Sequence, residues 1–151
     1  MTTSRSSMPP RSTAIPGREA GLLPEPGEHV VLGAPLNGPW PEGTHVIYLA
    51  GGCFWGVERI MWRRPGVVAT AVGYMGGTTP NPTYQEVCTG ATGHAEAVRV
   101  AYDPAVVGED GKALLRTFWE NHDSTHLNRH GNDIGTQYRS AVWTTTPAQA
   151  A

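Results

Sequence analysis

The chain has 151 residues, enough for one domain that buries a core of its own. Its 39% hydrophobic content marks it as globular rather than disordered. With 11 basic against 13 acidic residues and a net charge of −2, it offers no basic stripe for nucleic acid or an anionic membrane. Two cysteines without a C-x-x-C spacing exclude a disulfide framework and argue against a thioredoxin-type motif. No run reaches the roughly 18 apolar residues of a membrane span. Arg5 and Arg11 are followed by no apolar stretch of the secretory kind, so a reducing, cytoplasmic location is expected.

Residues 1–44 are dominated by Ser, Pro and Gly and are expected to form a flexible or irregular arm. Residues 1–14 read as disordered, and His29-Val30-Val31-Leu32 as a short apolar anchor. The body, 45–151, opens with a β-branched and aromatic run at His45–Ala50, which suits a strand. A helix is expected over 54–63, where Phe54, Val57 and Met61 share one face. Arg63-Arg64 close it and Pro65 stops it.

A second strand at 66–74 leads into a turn-rich loop at 75–82 and a single helical turn at 83–88. A third strand follows at 94–102. A second helix at Lys112–Glu120 carries Leu114, Leu115 and Phe118 on one face. A polar loop, 121–135, precedes a fourth strand at 136–144. This β-α-β-β-α-β order predicts an α+β fold: a two-layer split β-α-β (ferredoxin-like) core with a mixed or antiparallel sheet.

Chemistry concentrates at Gly52-Cys53-Phe54-Trp55-Gly56. Cys53 falls at a strand-to-helix turn, where unpaired N–H groups stabilise an anion and favour a nucleophilic thiolate. The alternative is a buried, inert cysteine. On the third strand, alternation places Glu96 on one face with Val98, Val100 and Tyr102. A carboxyl there would be desolvated and kept protonated, as a general acid requires; otherwise it is a strand-end residue pointing to solvent. His122, His126 and His130 recur every four residues and, with Cys53, raise a zinc module as an alternative. They lie in a polar loop and match no closed four-ligand signature, so solvated histidines and no metal are expected.

Longer blocks then resemble a known family. Gly52-Cys53-Phe54-Trp55-Gly56, the stretch from Gly73-Tyr74 to Thr83-Tyr84, and Gly93-His94-Ala95-Glu96-Ala97 are similar to the A-type peptide-methionine sulfoxide reductases. So are Phe118-Trp119-Glu120-Asn121-His122-Asp123 and Gly131-Asn132-Asp133-Ile134-Gly135-Thr136-Gln137-Tyr138-Arg139-Ser140. Ile15-Pro16-Gly17-Arg18 resembles the N-terminal arm of longer members.

The resemblance implies a peptide-methionine (S)-S-oxide reductase whose catalytic domain is 45–151, acting on methionine-S-sulfoxide, free or in proteins. It implies Cys53 as nucleophile, Glu96 as acid, and Tyr84 and Tyr138 as donors to the sulfoxide oxygen. Asp133 would organise the site, while Phe54 and Trp55 would form the apolar wall for the substrate methyl group. A cysteine sulfenic acid intermediate follows. No cofactor is expected beyond an external thiol reductant such as thioredoxin, and a monomer is expected. Family members continue past this point with a further segment and recycling cysteines, so a C-terminally short version is expected. Cys88 is not expected to be the resolving partner. A truncated, non-recycling homologue that binds oxidised methionine is the alternative function.

Overall fold

A computed structural model of the chain describes residues 6–151. Residues 1–5, part of the stretch read as disordered, lie outside the described residues. The body holds β1 (His45–Ala50), α1 (Phe54–Trp62), β2 (Val67–Met75), α2 (Tyr84–Cys88) and β3 (Ala95–Tyr102). It continues with α3 (Pro104–Val107), α4 (Lys112–Glu120), β4 (Arg129–His130), β5 (Asp133–Ile134), β6 (Ala141–Trp143) and α5 (Pro147–Ala150).

The main sheet has the order β2-β3-β1-β6, with every neighbouring pair antiparallel. The fold is therefore a mixed α+β arrangement on an antiparallel sheet. The register sets Leu49 and Val72 beside Val98, and Ile47 and Thr70 beside Val100. That face carries α1 and α4, whose Phe54, Val57, Met61, Leu114 and Phe118 join Ile47, Leu49, Val98 and Val100 in the main core. Each such side chain contributes roughly 1.5–3 kcal/mol by leaving water, which makes this face the main source of stability.

β3 is buried on both faces. Its second face presents Ala95, Ala97 and Ala101, small enough for cover to lie close. Part of the cover comes from the arm. The Arg99 guanidinium lies 5.3 Å from the Trp40 ring centroid and donates to Leu36 O and Asn37 Oδ1.

The arm is irregular, with a short 3₁₀ turn at Arg11–Thr13 and a single bridge between Glu28 and Pro35. Its expected apolar anchor is corrected: Val30 is 99% and Val31 57% exposed, and His29 is the buried residue. His29 Nδ1 accepts the N–H groups of Val31 and Leu32, which fixes the proton on Nε2. Nε2 then donates to Thr70 Oγ1 (2.8 Å), whose hydroxyl donates to Glu58 Oε1 (2.9 Å).

The expected fourth strand is also corrected. Only Ala141–Trp143 pairs with β1, and Thr136–Tyr138 is a 3₁₀ turn. Bonds of i→i+3 type, Tyr138 N–H to Gly135 O and Arg139 N–H to Thr136 O, turn the chain back on itself there. The Arg139 side chain locks the turn by donating to Thr136 O and Gly93 O. The polar loop is not structureless either, since β4 and β5 pair within it, Arg129 with Ile134 and His130 with Asp133.

Candidate active site

Cys53 is the N-cap residue of α1, half-buried, with its carbonyl accepting from Gly56 and Val57. The N–H of the next residue, Phe54, has no intrahelical acceptor, as for any first-turn residue. It donates instead to Glu96 Oε2 at 3.0 Å. Glu96 lies on β3 and is 3% exposed, among the core side chains rather than in solvent. Burial raises its pKa above the ordinary glutamate value; the Phe54 N–H opposes this and the nearby charge of Asp133 adds to it. A carboxyl group is thereby held next to the thiol-bearing turn and biased toward its protonated form.

The turn requires glycine for steric reasons. A Cβ on Gly51 would lie 2.7 Å from the Phe118 ring and 3.3 Å from that of His122. On Gly52, where φ is +93°, it would lie 2.4 Å from the His130 ring. Phe118, His122 and His130 thus press on the backbone that aims Cys53. His122 is fixed in turn, its ring nitrogens meeting Phe118 O at 2.7 Å and Ser140 Oγ at 2.9 Å.

Three phenols, those of Tyr74, Tyr84 and Tyr138, lie within electrostatic reach of the carboxyl group. Tyr74 on β2 stands opposite Glu96 in the sheet register, and its ring centroid is 5.6 Å from that of Phe54. Burial, followed by the charge of Glu96, pushes the Tyr74 phenol up to about 12. Tyr138, on the 3₁₀ turn, is raised by burial and then by Glu96 and Asp133. Tyr84, the first residue of α2, is 56% exposed. Its phenol is pushed above the ordinary value, first by the neighbouring Cys88 side chain and then by Tyr138. All of these phenols therefore keep their protons and act as O–H donors near neutral pH.

The structure brings Glu96 to the start of the Cys53 helix, and Tyr84, Tyr138 and Asp133 within electrostatic reach of that carboxyl group. Asp133 itself is exposed, on β5 opposite His130. Phe54 is 8% exposed and belongs to the core, whereas Trp55 is 71% exposed beside it. The sequence gives Tyr74 no role of its own, and it raises His130 only as a metal ligand. A signal for Tyr74 was present in its block, Gly73-Tyr74-Met75-Gly76. For the contact of His130 with Gly52 there was none, because it spans distant segments.

Among the described residues, no group of His, Cys, Asp or Glu side chains is placed to hold a metal ion. Cys53 and Cys88 are both free thiols. The site has the ingredients of thiol chemistry: a sulfur at a helix start, a buried acid and phenols within electrostatic reach of it.

The sequence profile of the family described as peptide methionine sulfoxide reductase matches residues 45–151. The chain is 58% identical over 144 residues to a peptide methionine sulfoxide reductase of Caulobacter vibrioides, covering 95% of this chain and 65% of the relative. It is 56% identical over 145 residues to the Agrobacterium fabrum protein of that name, covering 96% of this chain and 66% of the relative. The chain thus spans just under two thirds of the length of these curated relatives. Among solved structures, methionine sulfoxide reductase A of Corynebacterium diphtheriae superposes with a TM-score of 0.86 at 48% identity, covering 93% of this chain and 64% of that one. Mxr1 from Saccharomyces cerevisiae in reduced form gives a TM-score of 0.66 at 36% identity, covering 73% and 64%. The chain belongs to the peptide methionine sulfoxide reductase family.

Proposed function

We propose that this chain reduces methionine-S-sulfoxide, free or in proteins, to methionine, and so repairs oxidised proteins. The observation that carries the proposal is the Glu96 carboxyl group, buried and bonded to the first N–H of the Cys53 helix. The Cys53 sulfur attacks the sulfoxide sulfur, and Glu96 delivers a proton to the sulfoxide oxygen. Oxygen passes to Cys53 as the sulfur–oxygen bond of the substrate breaks. Cys53 is oxidised by two electrons to a sulfenic acid, and the substrate sulfur is reduced by two electrons to the thioether. Tyr84 and Tyr138, with Tyr74 behind them, donate to the oxygen as negative charge builds on it. Phe54 and Trp55 receive the methyl group, and Asp133 supports the protonated form of Glu96 through its own charge.

An external thiol, thioredoxin being the natural choice, would return Cys53 to the thiol, with no other cofactor. We take 45–151 as the catalytic domain and 1–44 as its arm, and read the β1-α1-β2-β3-α4-β6 frame as a split β-α-β, ferredoxin-like core. Two free cysteines suit a reducing cytoplasm, and we expect a monomer.

A single-turnover experiment tests the chemistry. Protein without reductant is mixed with excess methionine-S-sulfoxide, methionine is counted and Cys53 is examined by mass spectrometry. About one methionine per chain with Cys53 as sulfenic acid is expected. Substrate binding with no methionine formed would replace the proposal with recognition of oxidised methionine without turnover.

A further inference from the structure

We infer that Arg18 is a positioning residue for the Tyr84 phenol, acting through Glu86; the inference rests on the function proposed above. Tyr84 begins α2, a helix of only five residues. Such a helix does not persist in water on its own. A capping box holds it: Glu86 N–H donates to Thr83 Oγ1 at 3.1 Å, and Thr83 N–H donates to Glu86 Oε2 at 2.7 Å. The same carboxylate receives the Arg18 guanidinium as a fork, Nη1 on Oε2 at 3.0 Å and Nη2 on Oε1 at 2.8 Å. One carboxylate thus ties the start of α2 to the arm.

The arm is fixed at this place by backbone contacts as well. Arg18 N–H donates to Pro80 O at 3.1 Å, and Asn81 Nδ2 donates to the carbonyls of Arg18 and Glu19, each at 3.0 Å. Arg18 Nη1 also donates to Asn81 O at 2.6 Å, and Thr79 Oγ1 to Ile15 O at 2.8 Å. Gly17 lies so close to the loop that a Cβ would come within 2.3 Å of Pro80 O. Residues 15–19 form a brace against the segment that leads into Tyr84.

The phenol is aimed by the helix itself. Tyr84 and Cys88 are four residues apart on one face of α2, so the phenol keeps its place beside the Cys88 side chain only while the helix is formed. If α2 frays, that placement is lost, because Tyr84 is 56% exposed and lies outside the buried core. Arg18, with the Thr83 N–H, holds the Glu86 carboxyl down at about 2, so the fork stays ionised across the neutral range.

The test measures the single-turnover rate constant and the half-saturating substrate concentration for Arg18→Ala and Glu86→Gln, each in wild-type and Tyr84→Phe backgrounds. The side-chain amide introduced by Glu86→Gln can still complete the capping box but loses the ionic fork, which separates the brace from the cap. Each variant is expected to lower the ratio of rate constant to half-saturation about tenfold in the wild-type background. In the Tyr84→Phe background the loss should shrink to about twofold or less, because the group being positioned is gone. Equal losses in both backgrounds, or none, would overturn the inference.

A second readout needs no turnover: the ¹³Cζ resonance of Tyr84 and its titration in tyrosine-labelled protein. Arg18→Ala should move the resonance and change its titration; superimposable spectra and titrations would overturn the inference. Wild-type protein that forms no methionine would sink the proposed function, and the resonance would still decide the role of Arg18.

Discussion

At Glu96, burial outweighs the single N–H donated by Phe54, so the carboxyl group holds its proton above the ordinary glutamate range. The sign follows from the raised value: the acid form is complete below the ordinary pKa and is lost as pH rises through the folded one. The acid-dependent limb of the single-turnover rate should therefore fall toward higher pH. Glu96→Gln should remove that limb and lower the rate by roughly 10²–10⁴, with substrate binding largely kept. A near-wild-type rate in Glu96→Gln would end the assignment.

Gly52 makes a different demand. Gly52→Ala must place a methyl group against the His130 ring at a φ of +93°, so it should cost more than about 1 kcal/mol in a urea titration. Adding His130→Ala should recover only part, because the backbone conformation stays unfavourable to any side chain. The placement of Cys53 at the start of α1 and the burial of Glu96 were legible in the sequence because their signals are local: a glycine-flanked turn before a helix face, and a carboxylate among valines on an alternating strand. The role of His130 was not, since it exists only where the strand-to-helix turn meets the β4–β5 pair.

Among the elements, α2 and the 3₁₀ turn at Thr136–Tyr138 carry phenols on segments too short to stand alone. Each is held by side chains from elsewhere: α2 by Arg18 through Glu86, the turn by Arg139, itself bonded to Gly93 O. The tie at α2 has a pH signature. Glu86 is lowered from 4.5 to about 2, so its contribution is present above the ordinary value and lost as pH falls through about 2. Amide protection at Arg18 and Thr83 should therefore drop in that window on acidification, and Glu86→Gln should show no such step. The misplaced fourth strand has a related cause: residues 136–144 have strand-like composition, yet i→i+3 bonds and the Arg139 lock use up the backbone of their first third. The short α1 and α4 faces, by contrast, were readable from periodicity alone, because each packs as a single amphipathic stripe on the sheet.

Across the whole molecule, the arm grips the body at well-separated places: residues 15–19 on the loop before α2, His29 between α1 and β2, and Trp40 over Arg99 on the opposite face of the sheet. These contacts join residues such as Arg18 and Glu86, 68 positions apart. No local pattern announces them, and so a Ser, Pro and Gly-rich stretch read as loose. His29→Ala would leave the N–H groups of Val31 and Leu32 without their acceptor and take from Thr70 Oγ1 its donor, leaving it only the bond to Glu58. It should lower unfolding stability by about 1–3 kcal/mol in chemical denaturation. An unchanged midpoint would show that the arm contributes nothing at that place.

Trp55 gives the protein a built-in optical gauge. At 71% exposure it is the most open of the tryptophans, ahead of Trp119 at 47%. In the proposed function its indole helps to receive the substrate methyl group, so a bound methionine sulfoxide takes water away from it. Its emission should move to the blue as methionine sulfoxide binds and return when the product leaves, and Trp55→Phe should erase the change. Occupancy can then be followed in real time, without a label and without waiting for the sulfur to react.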